Sequence, residues 1–264
     1  MTASDTTEPV CCVFGRPLPA SQVVDELQTL QLRLTESLGA EPLDRWTVEV
    51  TYRLRQKEKK GMGNEMKFGV NTAAPFLGMK QEQRELSPYS RQYWIRRSER
   101  PGRVLIVQEK EEEQATGAAP TAGATSRELG GGSSLPGTGG RLLHTLEGDV
   151  ELEKQMASRA PMATRLKAVV EGQQYGLGDV VIRAGSCRKG TLHRGLVLEM
   201  VYKPTHDIEG GTAFIAAVKD MLDVEGAFRP ASDLRDGRLF GPGPKYTAKH
   251  TALQVTDLLN RTFS

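Results

Sequence analysis

The chain has 264 residues, 38% of them hydrophobic, with 35 basic against 33 acidic side chains and a net charge of +2. That length allows one large domain or two small ones, and the balanced charge supplies no bulk attraction to nucleic acid. No apolar run approaches the roughly 18 to 20 residues of a membrane-spanning helix, and Met1 to Val10 carries Asp5 and Glu8 with no basic residue, unlike a secretory signal.

Val10 to Phe14 reads as a short strand. A helix is predicted from Pro19-Ala-Ser21, with Ser21 as N-cap and Asp25 and Glu26 in the first turns, where the helix dipole favours acids. Leu27, Leu30, Leu34 and Leu38 share one face, and Gly39 ends the helix. From Trp46 to Leu54, Trp46, Val48, Val50, Tyr52 and Leu54 alternate with Thr47, Glu49, Thr51 and Arg53, which predicts a strand with one buried and one polar face. Gln56 to Lys60 is a basic cluster read as a solvated loop, and Gly61 to Pro88 is irregular. Tyr89 to Arg97 has strand character, Ser98 to Gly102 reads as a turn, and Arg103 to Glu109 as a strand.

From Gln114 to Gly140 the composition turns to Gly, Ala, Ser, Thr and Pro. Such a segment cannot bury enough surface to offset its ordering entropy. The expectation is a single domain, residues 1–264, with a disordered insert at about 110–141. Order resumes near Leu142. Gly148 to Ala160 is predicted helical and Thr164 to Gln174 a strand. Tyr175 to Gly185 and Arg194 to Tyr202 alternate as two strands of an antiparallel hairpin. The link between them runs from Ser186 to His193, with Gly190 available for a positive φ. A helix starts at Gly211-Thr212, with Phe214, Ile215, Val218, Met221 and Leu222 as its buried face. After the Gly/Pro-rich stretch Ala227 to Pro244, a last helix runs from Tyr246 to Thr262 with Ala248, Ala252, Val255, Leu258 and Leu259 inward. Strands outnumber helices and short connections join neighbouring strands. The fold class is α+β, an antiparallel β-barrel with flanking helices.

Catalytic constellations are thin. Cys11, Cys12 and Cys187 form no disulfide framework, which fits a reducing compartment. His144, His193, His206 and His250 have no metal-ligand spacing. Neither a G-x-S-x-G elbow nor a G-x-x-x-x-G-K-[ST] loop occurs, and His193 and Cys187 have no third group to orient them. Arg91, Tyr93, Trp94, Arg96, Arg97, Arg100 and Arg103 mix cations with aromatics, read as a basic strand face for an acidic protein partner rather than for nucleic acid. A metal-holding strand needs acids at i and i+2 on one face. Glu49, Glu171 and Glu199 each stand alone on theirs, whereas Asp149, Glu151 and Glu153 fall in a predicted helix, where that spacing points apart. No catalytic, cofactor-binding or metal residue is assigned.

Three blocks together resemble the Mediator complex subunit 20 family in its fungal form. The first is Cys12-Val-Phe14 through Leu38-Gly-Ala40, then Arg45-Trp46-Thr-Val-Glu49. The second is Tyr175-Gly-Leu-Gly-Asp179 to Arg183-Ala-Gly185, then Arg194-Gly195 and Leu198-Glu199-Met-Val-Tyr202. The third is Leu239-Phe-Gly-Pro-Gly243 and the helix through Leu259. The resemblance implies a non-catalytic, nuclear subunit of the head module of this RNA polymerase II coactivator. It implies a heterodimer with Mediator subunit 18, docked through the C-terminal helix of Mediator subunit 8. Tyr175, Gly178, Asp179, Arg183, Gly195 and Glu199 match the family pattern as a structural signature, with Asp179 expected to bond backbone amides at its turn. The alternatives are Mediator subunit 18 itself, which shares the barrel, and a metal-dependent polyphosphate or RNA triphosphatase of the similar tunnel fold.

Overall fold

The computed structural model describes residues 8–55, 91–110, 142–159, 162–223, 225–232 and 245–263. The basic cluster Gln56 to Lys60, the stretch Gly61 to Pro88, the insert Gln114 to Gly140 and Leu239 to Gly243 lie outside them.

In chain order the elements are β1 (Val10–Pro17), α1 (Val23–Leu32), β2 (Glu41–Arg55), β3 (Arg91–Arg97), β4 (Arg103–Lys110), β5 (Leu142–Asp149) and α2 (Val150–Arg159). There follow β6 (Met162–Leu177), β7 (Val180–Lys189), β8 (Leu192–Tyr202), α3 (Ile208–Leu222), β9 (Arg229–Pro230) and α4 (Ala248–Arg261). The nine strands form one sheet in the order β5-β4-β3-β2-β6-β7-β8-β1-β9, antiparallel at every pairing. The α+β class holds. The barrel is met only loosely, because among the described residues the edge strands β5 and β9 do not pair and the curled sheet stays open.

What fills the curl is α4. It touches β1 near one end of the strand order and β4 and β5 at the other, so the sheet wraps around it. Ten of its residues are buried, including Ala252, Leu253, Val255, Leu258 and Leu259. Each large side chain among them contributes about 1.5–3 kcal/mol by leaving water. Gly15 makes room, since a Cβ there would collide with Leu258 and Thr262 of this helix. On the convex side α1 covers β7 and β8, and α3 covers β1 and β8. α2 caps a satellite core of Trp94, Val104 and Ile106 through Met156.

Local chemistry explains where these elements begin and end. α1 starts at Val23 after Gln22, which makes no side-chain cap bond, so Ser21 is not the N-cap. Its last turn widens to a π-helix over Arg33–Ser37 before Gly39 turns the chain at φ +65°. The tract Tyr175 to Gly185 is two strands, not one. β6 runs through Leu177, and Gly178 and Asp179 turn into β7 with Leu177 opposite Val180. The predicted link Ser186 to His193 shrinks to Gly190-Thr191, with Lys189 opposite Leu192, because β7 continues past a register shift at Cys187/Arg188. α3 begins at Ile208, capped by Asp207 Oδ2 accepting from Gly210 N–H (2.8 Å). Its inward ridge is Ile208, Gly211, Ile215, Val218 and Leu222, so Phe214 and Met221 face solvent. β5 was not anticipated. Its sequence, Leu142-Leu-His-Thr-Leu-Glu-Gly-Asp149, mixes polar and apolar residues on both faces.

Candidate functional site

The six signature residues do not converge on one place. Tyr175, buried at the end of β6, has its phenol pushed above the usual range by burial, against a hydrogen bond from Gln31. Gly178 takes φ +55° at the β6–β7 turn. Beside it, the Asp179 main-chain carbonyl accepts from Lys203 N–H at 3.1 Å. Gly195 sits at the opposite end of β8 with φ +148°, where a Cβ would meet the Arg16 carbonyl and Phe263. Only Arg183 and Glu199 come together.

They do so inside the curl. Glu199 on β8 shares its face with Val13 and Arg183, its register partners on β1 and β7, and is fully buried. Its Oε1 accepts from Arg183 and from Arg97 Nη2, the latter at 2.5 Å. Arg97 Nε also donates to Glu99 Oε1 at 2.6 Å, and Arg183 lies 3.4 Å from the same oxygen. Two guanidinium groups and two carboxylates therefore form a charge-balanced group through Oε1 of each acid, while Glu99 Oε2 and Glu199 Oε2 are buried without a hydrogen-bond partner. Gln174 Oε1 accepts from Arg183 Nε at 2.9 Å and steadies it.

The electrostatics follow from that enclosure. Burial alone raises a carboxyl, but Arg97 and Arg183 outweigh it and hold Glu199 below the usual range. Burial would lower the Arg97 guanidinium, and Glu199 and Glu99 more than reverse this. Desolvation, helped by the Glu199 charge, lifts the Cys11 thiol well above its ordinary value. Burial pushes Cys12 and Cys187 up to about 12. All three thiols are free and buried.

A tunnel that processes phosphates needs spare cations and clustered acids. Among the described residues, the two arginines inside the curl, Arg97 and Arg183, are met by carboxylates, and Lys189 donates to the Leu259 carbonyl of α4 at 2.9 Å. Among the described residues, no group of three or more His, Cys, Asp or Glu is placed to hold a metal ion. Glu49 and Glu171 are met by Lys167 and Arg188 on the polar face. The run from Arg91 to Arg103 is not a free basic strip either. Arg91 faces Glu109, Arg96 Nε donates to Glu153 at 3.0 Å, and Arg100 pairs with Glu8 and Glu147. Trp94 lies under Arg53, whose guanidinium carbon is 3.8 Å from the ring centroid.

The sequence matches, over residues 8–260, the family described as TATA-binding related factor (TRF) of subunit 20 of Mediator complex. The chain belongs to the Mediator subunit 20 family. That membership makes it a subunit of Mediator, an assembly of transcription regulation. Among solved structures it is similar to the PH1012 protein from Pyrococcus horikoshii OT3, with 13% identity, 83% of this chain and 94% of that chain covered and a TM-score of 0.36. It is similar at 12% identity to a chain in the Schizosaccharomyces pombe Mediator head module, with 81% and 94% covered and a TM-score of 0.36. No curated protein matches.

Three residues that organise this Mediator subunit 20 interior were not placed there by the sequence reading. Arg97, which it put on a basic face for a partner, and Glu99 are two. Arg97 sits in the inward register of β3, with Tyr93 and Ile95, and an arginine in that register was the signal to pair with the lone Glu199. The third is Gln254 on α4. Its Oε1 accepts from Val13 N–H and its Nε2 donates to the Cys11 carbonyl, both at 2.9 Å. It stands in for a neighbouring strand where β9 fails to cover β1.

Proposed function

We propose that the chain is a non-catalytic subunit of the Mediator head module, acting in the nucleus as a heterodimer with Mediator subunit 18. The C-terminal helix of Mediator subunit 8 docks the pair, and the assembly helps regulate RNA polymerase II transcription. The observation that carries this reading is the family match across residues 8–260.

The interior supports it. A helix and four mutually neutralised charges occupy the space where a tunnel enzyme would hold its substrate, so the function falls to outer surfaces. The match to subunit 20 weighs against subunit 18 itself. Affinity purification of the tagged chain from nuclei of its source tests the reading: subunits 18 and 8 are expected in stoichiometric amounts. Recovery without either, together with Mn²⁺-dependent release of phosphate from a triphosphate substrate, would replace it with the triphosphatase reading.

A further inference from the structure

α3 has two apolar sides. One packs on the sheet. The other is exposed and runs through Ala213, Phe214, Ala217 and Met221, neighbours at helical spacing. Phe214 is 43% and Met221 57% exposed. Phe214 is also held in place, stacked on Tyr202 with centroids 4.3 Å apart. At the end of this stripe a groove of about 390 Å³ opens between α1 and α3, lined by Leu38, Met221, Leu222, Arg33, Ser37 and Glu225. Leu32, the residue before Arg33, is 54% exposed. Clustered exposed side chains of this size mark contact surfaces.

Charge narrows the occupant. Glu209 and Asp220 lie along one border of the stripe and Glu225 at the groove, all exposed. The local cations are already engaged: Lys219 sits between Asp220 and Asp223, Arg33 donates to the Leu222 carbonyl at 3.4 Å, and Arg16 pairs with Glu26 and lies 3.9 Å from Glu225, which leaves the exposed Glu209 and Asp220 in excess. The border is therefore net acidic. From Ala213 to Met221 the stripe is roughly 12 Å long, two helical turns. Alanines at its centre permit a close interhelical approach, about 8–10 Å between axes.

We infer that the outer face of α3 docks an amphipathic helix of another protein, one whose apolar ridge is flanked by lysine or arginine. Its anchors at i, i+3, i+4 and i+7 lie along Ala213, Phe214 and Ala217, and its last apolar side chain enters the groove beside Met221. Its cations meet Glu209 and Asp220. This goes beyond the proposed assembly and does not depend on which subunits surround the chain.

The probe is a fluorescein-labelled synthetic helix with leucines at those spacings and lysine flanks, titrated with the full chain and read by anisotropy. Saturable binding is expected, weakened about tenfold or more by Phe214→Glu and, separately, by Met221→Glu, which leaves the Tyr202 stack intact. Glu209→Lys with Asp220→Lys should shift preference to a glutamate-flanked probe. No binding, binding indifferent to these changes, or a concentration-dependent dimer that Met221→Glu dissolves would overturn the inference. The last result would give the face to a second copy of the chain.

Discussion

Arg97, at the end of β3, donates to Glu199 on β8 at 2.5 Å although β2, β6 and β7 separate the two strands in the sheet. The bond spans the inside of the curl and holds its two walls together. Taking charges out of water is expensive, and such a group is kept only when every charge is met. Removing one partner leaves a guanidinium stranded.

Glu199→Ala should therefore destabilise the protein by about 3–5 kcal/mol. Replacing Arg97, Arg183, Glu99 and Glu199 together with apolar residues should cost far less. Urea unfolding midpoints check the comparison, and a loss in the fourfold variant as large as or larger than that of Glu199→Ala would show that no stranded-charge penalty operates.

Acid should weaken the same group. Because Arg97 and Arg183 depress the folded-state value of Glu199, its contribution is complete above the unfolded carboxyl range. It disappears as pH falls through the lower folded-state value. Unfolding midpoints measured between neutral pH and about pH 3 should fall more steeply in the native chain than in Glu199→Gln. Parallel curves would remove Glu199 as the cause.

Gly178 and Gly195 look alike in sequence but sit differently. At Gly178 a Cβ meets nothing within 4 Å, so Gly178→Ala should cost only the left-handed backbone, about 1–2 kcal/mol. Gly195→Ala adds collisions with the Arg16 carbonyl and Phe263, and should cost clearly more. Similar melting temperatures for the two variants would contradict the packing at the end of β8.

Gln254→Leu keeps the volume of the side chain but strands Val13 N–H and the Cys11 carbonyl, at about 1–3 kcal/mol for each buried group. Hydrogen exchange should show the Val13 amide losing its protection first. Unchanged protection would mean that β1 finds another partner.

Cys11, Cys12 and Cys187 should resist an aromatic disulfide reagent in the folded protein and all react in denaturant. Their burial and raised thiols both suppress the nucleophilic thiolate. Rapid labelling of the native chain would place at least one thiol at the surface.

Most strands were legible because alternation reports a half-buried sheet directly, as in Trp46-Thr-Val-Glu-Val50. β5 was hidden because an edge strand with Leu143, Thr145 and Glu147 on one face carries little contrast. Phe214 and Met221 were assigned inward with Ile215, Val218 and Leu222 as one apolar helix face, whereas the sheet selected a ridge that includes Gly211, packed against Val10. The interior charge group was half legible. Reading each strand for a second acid identified Glu199 as solitary, but Glu99 reaches the same two arginines from the turn between β3 and β4, and strand periodicity says nothing about turns. Gln254 was invisible for a related reason, since helix patterning looks for apolar stripes and not for a side chain that completes a sheet.

The most direct test of the account is the mass of a mixture of the purified chain with purified Mediator subunit 18. A one-to-one complex is expected that persists through gel filtration and shows no Mn²⁺-stimulated phosphate release from a triphosphate. Two separate monomer peaks, with turnover abolished by Glu199→Gln, would contradict it.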